Sequence, residues 1–236
     1  MKEQILRLLD LMQAAEVELG NLMSEGERQA IGELNAWAAK DNLCHTAGWC
    51  IRQVENIARA RRGEPFIDYE NYLEINDQDF LDCQSLSWEQ SLESSENSRQ
   101  TLRDLLDELS EEDLLRTDLL PSNRPLWQGL VFNFVEHALI HMGIVFNDLG
   151  KPGFSSELQA SIRAELIALA PDDKKWKGTV IYNRACQHAL QGQKVLAIAE
   201  LKEALTLEPE LTAWSKEDSD LISLHEEPGY QAIYSE

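Results

Sequence analysis

Apolar residues recur at three- and four-residue steps over long stretches of this chain, and that period constrains its fold more than any other feature. Ile5, Leu8, Leu9, Met12, Ala15, Leu19 and Leu22 fall on one face of a helix from about Lys2 to Met23. Leu43, Ala47, Cys50, Val54, Ile57 and Arg61 mark a second long helix, from about Ala39 to Arg62, which Gly63-Glu64-Pro65 stops. Ser87 with Gln90 has the form of a capping box and opens a third, carried by Trp88, Leu92, Leu102, Leu105, Leu106 and Leu109. A fourth begins near Pro125, well placed in a first turn, and continues to about Leu149. The fold class this implies is all-α.

Between the second and third helices, residues 66–87 are aromatic and acidic with weak periodicity, and a long connection with short helical pieces is expected there. Ser24-Glu25-Gly26-Glu27 and Ser110-Glu111-Glu112-Asp113 repeat one helix-end pattern. Gly150-Lys151-Pro152-Gly153 is the best boundary in the chain, dividing it into domains 1–150 and 151–236. Beyond it a helix is expected from Ser155 or Ser156 to about Ala170. A hairpin of Gly178–Gln191 and Lys194–Leu207 follows, and then an acidic tail in which Trp214, Leu221, Leu224 and Tyr230 cap the hairpin.

Charge excludes some partners. Asp and Glu number 42 against 21 Lys and Arg, a formal charge of −21 that repels phosphate backbones and anionic lipid, so neither nucleic acid nor a membrane surface is expected as a partner. Arg59, Arg61 and Arg62 cluster at a predicted helix C-terminus, where cations complement the free carbonyls. Cys44, Cys50, Cys83 and Cys186 form no CxxC pair, which reads as four thiols in a reducing compartment. No signal-peptide pattern opens the chain and no apolar run is expected to reach the ~20 residues of a membrane span, so the cytoplasm is the expected location.

His137 and His141, four residues apart, project from one face of the fourth helix and can chelate one ion. With Trp127, Val131, Phe134, Ala138 and Val145 facing the core, His141 falls inside that stripe and His137 about 80° from its centre. The pair alone is a weak signal. His45 is the candidate third ligand, which would give the three-ligand arrangement that leaves a position open. Its helix pattern leaves this undecided, since His45 lies about 160° from the Leu43–Val54 stripe, on the side of Trp49, Arg52 and Asn56.

The stretch Trp37-Ala38-Ala39-Lys40-Asp41-Asn42-Leu43-Cys44-His45-Thr46-Ala47-Gly48-Trp49, together with Arg124-Pro125-Leu126-Trp127 and Glu136-His137-Ala138-Leu139-Ile140-His141, resembles the DinB-like four-helix bundles. Asn76 and Ser87-Trp88-Glu89 add a likeness to the ClbS/DfsB-like branch. The resemblance covers nearly all of residues 1–150. It implies a bundle holding one divalent ion on His45, His137 and His141. Zn²⁺ is the default for neutral imidazoles, and Ni²⁺ and Fe²⁺ accept the same ligands. Ala38 departs from the Ser or Thr usual at that helix cap, where Asp41 compensates in part. Asp41 and Glu136 flank the ligands and read either as orienting groups or a base, or as solvated carboxylates. Cys44 reads as a packed thiol.

Residues 178–211 resemble a tetratricopeptide (TPR) helix pair, with Ala185, Gly192, Ala197, Ala204 and Pro209 at the positions of its small residues and terminal proline. The resemblance implies either a protein partner or a structural role, homodimerisation included. His188 and His225 lack a ligand partner and read as surface or packing residues. The DinB-like resemblance implies a metal-dependent hydrolase or thiol-dependent transferase acting on a small electrophilic substrate, with a low-molecular-weight thiol as a further cofactor. The alternative is a non-enzymatic interaction module using the TPR-like region.

Overall fold

The protein is described by a computed structural model over residues 1–34 and 36–235. Among these residues the only strand-like pairing is an isolated bridge between Glu33 and Ala36, and the all-α expectation holds. Two compact units are present, Met1–Gln159 and Ala160–Glu236. The stretch 150–153 separates two helices. Gly150, at φ 70°, and Lys151 donate their N–H groups back to Asn147 and Phe146, closing one helix before Pro152 opens the next. The division between units falls further on, inside that next helix.

The first unit contains α1 (Lys2–Leu22), α2 (Glu25–Arg28), α3 (Ala39–Arg61), α4 (Tyr72–Cys83), α5 (Trp88–Glu108), α6 (Glu111–Leu115) and α7 (Leu126–Val131). A π turn (Phe132–His137) and α8 (Ala138–Asp148) follow α7 without a break, and α9 begins at Pro152 and ends at Leu169. Helices α1 and α3 each pack against both α5 and α8, so four long segments share one core. Ser24, Ser87 and Ser110 cap their helices, each in a reciprocal box with the residue three positions on. Arg59 and Arg62 pair with Glu64, and Arg61 with Glu108, so the basic cluster at the end of α3 is neutralised locally.

The segment Leu126–Asp148 corrects one expectation. By length and composition this 23-residue helix is long and apolar enough to cross a membrane, against the expectation of no such run. Its polar residues, His137 and His141 among them, interrupt the run in sequence without shortening the helix. Most of it is buried in the protein, as a core helix would be.

Polar groups take part in the core as well. The N-terminal half of α5 buries Ser91, Ser95, Ser98 and Arg99 along the face that Leu102 and Leu106 continue. The Arg99 guanidinium makes a two-pronged pair with the Glu16 carboxylate at 2.7 and 2.8 Å, and Ser95 Oγ bonds both. Glu16 and Arg99 are 1% and 5% exposed, so each charge depends on the other for its solvation.

Instead of short pieces, residues 72–83 form a single helix, α4. Its periodicity is weak because it buries only Phe80 and Cys83. Polar and covalent links hold it on α3. Arg52 grips Asp79 at 2.6 and 2.7 Å, Trp49 Nε1 donates to Asn76 Oδ1 at 2.9 Å, and Cys44 is joined to Cys83. The reading of four thiols is therefore corrected: only Cys50 and Cys186 are free, both buried. The paired cysteines are 39 residues apart, a spacing that carries no motif. Since disulfides persist in oxidising surroundings, the inference of a reducing compartment loses its premise.

The second unit holds the remainder of α9, α10 (Lys174–Leu190), α11 (Lys194–Leu207), α12 (Leu211–Ser215), a 3₁₀ turn (Ser219–Leu224) and α13 (Pro228–Ile233). Helices α10 and α11 pack as a hairpin around Gly192, with Ala185, Ala197 and Ala204 fully buried between them. The chain also passes close at Gly178, where a Cβ would lie 2.9 Å from Glu208 Cβ. In the tail, Leu221, Leu224 and Tyr230 join this core, whereas Trp214 stays largely exposed. His188 lies 3.5 Å from Glu200 and His225 stacks on Tyr230, both in packing roles.

Candidate metal centre

His45 sits in the second turn of α3, and its ring turns toward α8, on the face that its own helix pattern left undecided. His137 closes the π turn and His141 lies one turn into α8. A π turn places one more residue in its ring than an α turn, which changes the facing of everything across it and is found often at functional sites. Nothing in the spacing of the apolar residues announces it.

The three imidazoles meet. His137 Nε2 is 3.2 Å from His45 Nε2 and 3.1 Å from His141 Nε2, and the ligand nitrogens of all three lie within 4.8 Å of one another. Three ring nitrogens this close repel one another unless a proton or a cation lies between them. At a Zn–N distance of roughly 2.0–2.1 Å, tetrahedral directions separate two ligating nitrogens by about 3.3–3.4 Å. The two separations at His137, 3.2 and 3.1 Å, come within about 0.3 Å of that spacing, so the residues present fit a divalent ion held by three neutral nitrogens.

Burial sets the protonation state. It lowers His45 to about 3, with the neighbouring His137 and Arg52 charges adding to the effect, and lowers His137 to about 4. His141 is pushed well below the usual histidine range, again chiefly by burial and then by the other two imidazoles. At neutral pH all three rings are therefore uncharged, the form that donates a lone pair.

The surroundings differ around the cluster. His45 Nδ1 and His137 Nδ1 are buried and make no hydrogen bond, whereas His141 Nδ1 lies 2.7 Å from Asn42 Oδ1. The Trp37 indole covers the cluster, with its centroid 4.7 Å from that of His45 and 6.0 Å from that of His141. Phe80 of α4 stacks parallel to Trp37 at 6.5 Å. A cleft of about 510 Å³ opens beside His141. Leu34, Ala36, Trp37 and Ile144 form its apolar wall, and Asn42, His141 and Asp148 supply its polar groups.

Of the two carboxylates that flank the ligands in sequence, neither is solvated: Asp41 is 2% and Glu136 1% exposed. Asp41 Oδ2 accepts the Ala38 N–H at 2.8 Å, so it caps the start of α3 where Ala38 has no side chain to do so. Gly32 is required beside it, because a Cβ there would fall 2.2 Å from that carboxylate oxygen. Sequence reasoning missed Asn42, Ile144 and Asp148. The only signal for Asn42 was a polar residue in the first turn of an otherwise buried helix start.

A second convergence, Cys186 with Asp218 and Asp220, is already satisfied internally. Asp218 caps the 3₁₀ turn through the Asp220 N–H and accepts from Tyr182 Oη at 2.6 Å and Trp214 Nε1 at 3.1 Å. Burial raises the Cys186 thiol, which faces the same carboxylate at 3.7 Å. No family model, curated protein or solved structure matches the chain.

Proposed function

We propose that this protein is a metal-dependent enzyme of the DinB-like kind, a hydrolase or thiol transferase acting on a small electrophilic substrate. The observation that carries this reading is the convergence of the His45, His137 and His141 imidazoles beside an open cleft that His141 lines. When bound, a divalent ion, Zn²⁺ by default, supplies Lewis acidity toward a donor atom of substrate or thiol. The protein's own residues do the rest. Burial keeps the three imidazoles neutral, Trp37 and Ile144 present apolar surface to a ligand, and Asp148 is a carboxylate within the same cleft.

The test is elemental analysis of untagged protein followed by calorimetric titration of Zn²⁺ into wild type, His45→Ala and His141→Ala. Stoichiometric metal in wild type and a loss of affinity in both variants is the expected result. Variants that bind as tightly as wild type would remove the basis for an enzyme.

A separate observation favours a second reading. The hairpin unit exposes Val195 (83%), Leu190, Leu196, Trp214 and Ile222, apolar surface that suits the interaction role of a TPR-like pair. If the purified protein carries and binds no metal, this interaction module becomes the better account.

A further inference from the structure

Asn42 lies against His141 with its amide fully determined. One end faces two backbone carbonyls, Ala38 O at 2.9 Å and Trp37 O at 3.4 Å, which can only accept, so that end is the NH₂. The other end, Oδ1, can only accept, and it meets His141 Nδ1 at 2.7 Å. The proton of neutral His141 is therefore on Nδ1, and its Nε2 lone pair is directed at His137 Nε2. We infer that Asn42 is the positioning residue of the metal centre, holding His141 in the one tautomer that can ligate through Nε2.

This inference rests on the metal-binding reading and adds to it the group that pre-organises a ligand. Asn42 is suited to the task because it is itself immobilised. It is buried in the first turn of α3, and its NH₂ is anchored to the carbonyls that precede the helix. Those carbonyls belong to Trp37 and Ala38, so the same amide ties the cleft wall to the ligand ring. Among the described residues no other group does this. His45 Nδ1 and His137 Nδ1 make no hydrogen bond, so Asn42 sets the only tautomer in the cluster that a neighbouring side chain dictates. Partners of this kind orient the ring and raise its basicity, and their loss typically lowers metal affinity about 10- to 100-fold.

The experiment reads the tautomer directly. Long-range ¹H–¹⁵N correlation spectra of the metal-free protein near neutral pH distinguish a protonated from an unprotonated ring nitrogen. Wild-type His141 is expected to show Nδ1–H and a bare Nε2. Asn42→Ala is expected to lose that single tautomer and to bind Zn²⁺ about 10- to 100-fold more weakly. Asn42→Asp keeps the acceptor but turns a second oxygen toward the Ala38 and Trp37 carbonyls, so it is expected to retain the Nδ1–H signature with an affinity between those of wild type and Asn42→Ala. A wild-type spectrum with the proton on Nε2 overturns the inference without recourse to any variant. An Asn42→Ala protein that keeps both tautomer and affinity overturns it too. If wild type shows the expected tautomer but binds no Zn²⁺, the metal reading fails, and with it the role given to Asn42. The spectrum thus separates the two failures.

Discussion

Acidifying the metal-free protein from about pH 7.5 to about pH 5 should destabilise its first unit by several kcal/mol through the three clustered imidazoles. Their folded pKa values lie below the unfolded value of roughly 6.5. Above pH 6.5 both states are neutral and the histidines are indifferent to folding. As pH falls below 6.5 the unfolded chain takes up protons that the folded cluster refuses until about 4 at His137 and about 3 at His45. The stability present above the unfolded pKa is thus lost on the way down. At pH 5 the penalty is about 2 kcal/mol per histidine, or about 6 kcal/mol for three. That sum is an upper bound, because His137 and His141 keep a partly accessible edge. It is comparable with the ~5–15 kcal/mol that holds an ordinary domain together. Urea unfolding read by pulsed hydrogen exchange in α3 and α8 confines the measurement to the first unit. The comparison is with a His45→Gln, His137→Gln, His141→Gln triple variant, in which the other acidic and basic groups still titrate. The difference between the two pH dependences is the contribution of the cluster. Equal losses in wild type and variant would show that the imidazoles are not buried in neutral form.

Reduction of the Cys44–Cys83 link, or Cys83→Ala, opens a loop closed over 39 residues and should remove up to about 4 kcal/mol. Mass-spectrometric hydrogen exchange should show α4 losing protection before α3 does. Arg99→Met leaves the Glu16 carboxylate buried without its partner and should cost about 3–5 kcal/mol, while Glu16→Leu combined with Arg99→Met should recover most of that in denaturant titrations. Gly178→Ala places a methyl group 2.9 Å from Glu208 Cβ and 3.1 Å from its backbone nitrogen. It should lower the stability of the hairpin unit by about 1–3 kcal/mol, a shift visible in its thermal midpoint.

Long periodic segments and capping boxes are local properties, and they were legible in the chain. The helices opened by Ser24, Ser87 and Ser110 begin where their side chains can satisfy free N–H groups, and α1, α3 and α5 bury most of the residues that recur at three and four, with Leu22, Val54 and Leu92 half-buried and Arg61 exposed. The pairing of His137 with His141 follows from helical spacing alone. Helix α4 was not legible as one helix, because polar pairs and a disulfide hold it rather than an apolar stripe. Nor were Glu16 and Arg99, whose burial depends on each finding the other across 83 residues. The facing of His45 was undecidable from its own helix, since only the position of α8 determines whether that side meets solvent or another imidazole. The acceptor at Asn42 belongs to the same class. Both are settled by contacts between residues far apart in sequence, which a local period does not encode and only the packed chain can bring together, at 3.2 Å for His45 and His137 and 2.7 Å for Asn42 and His141.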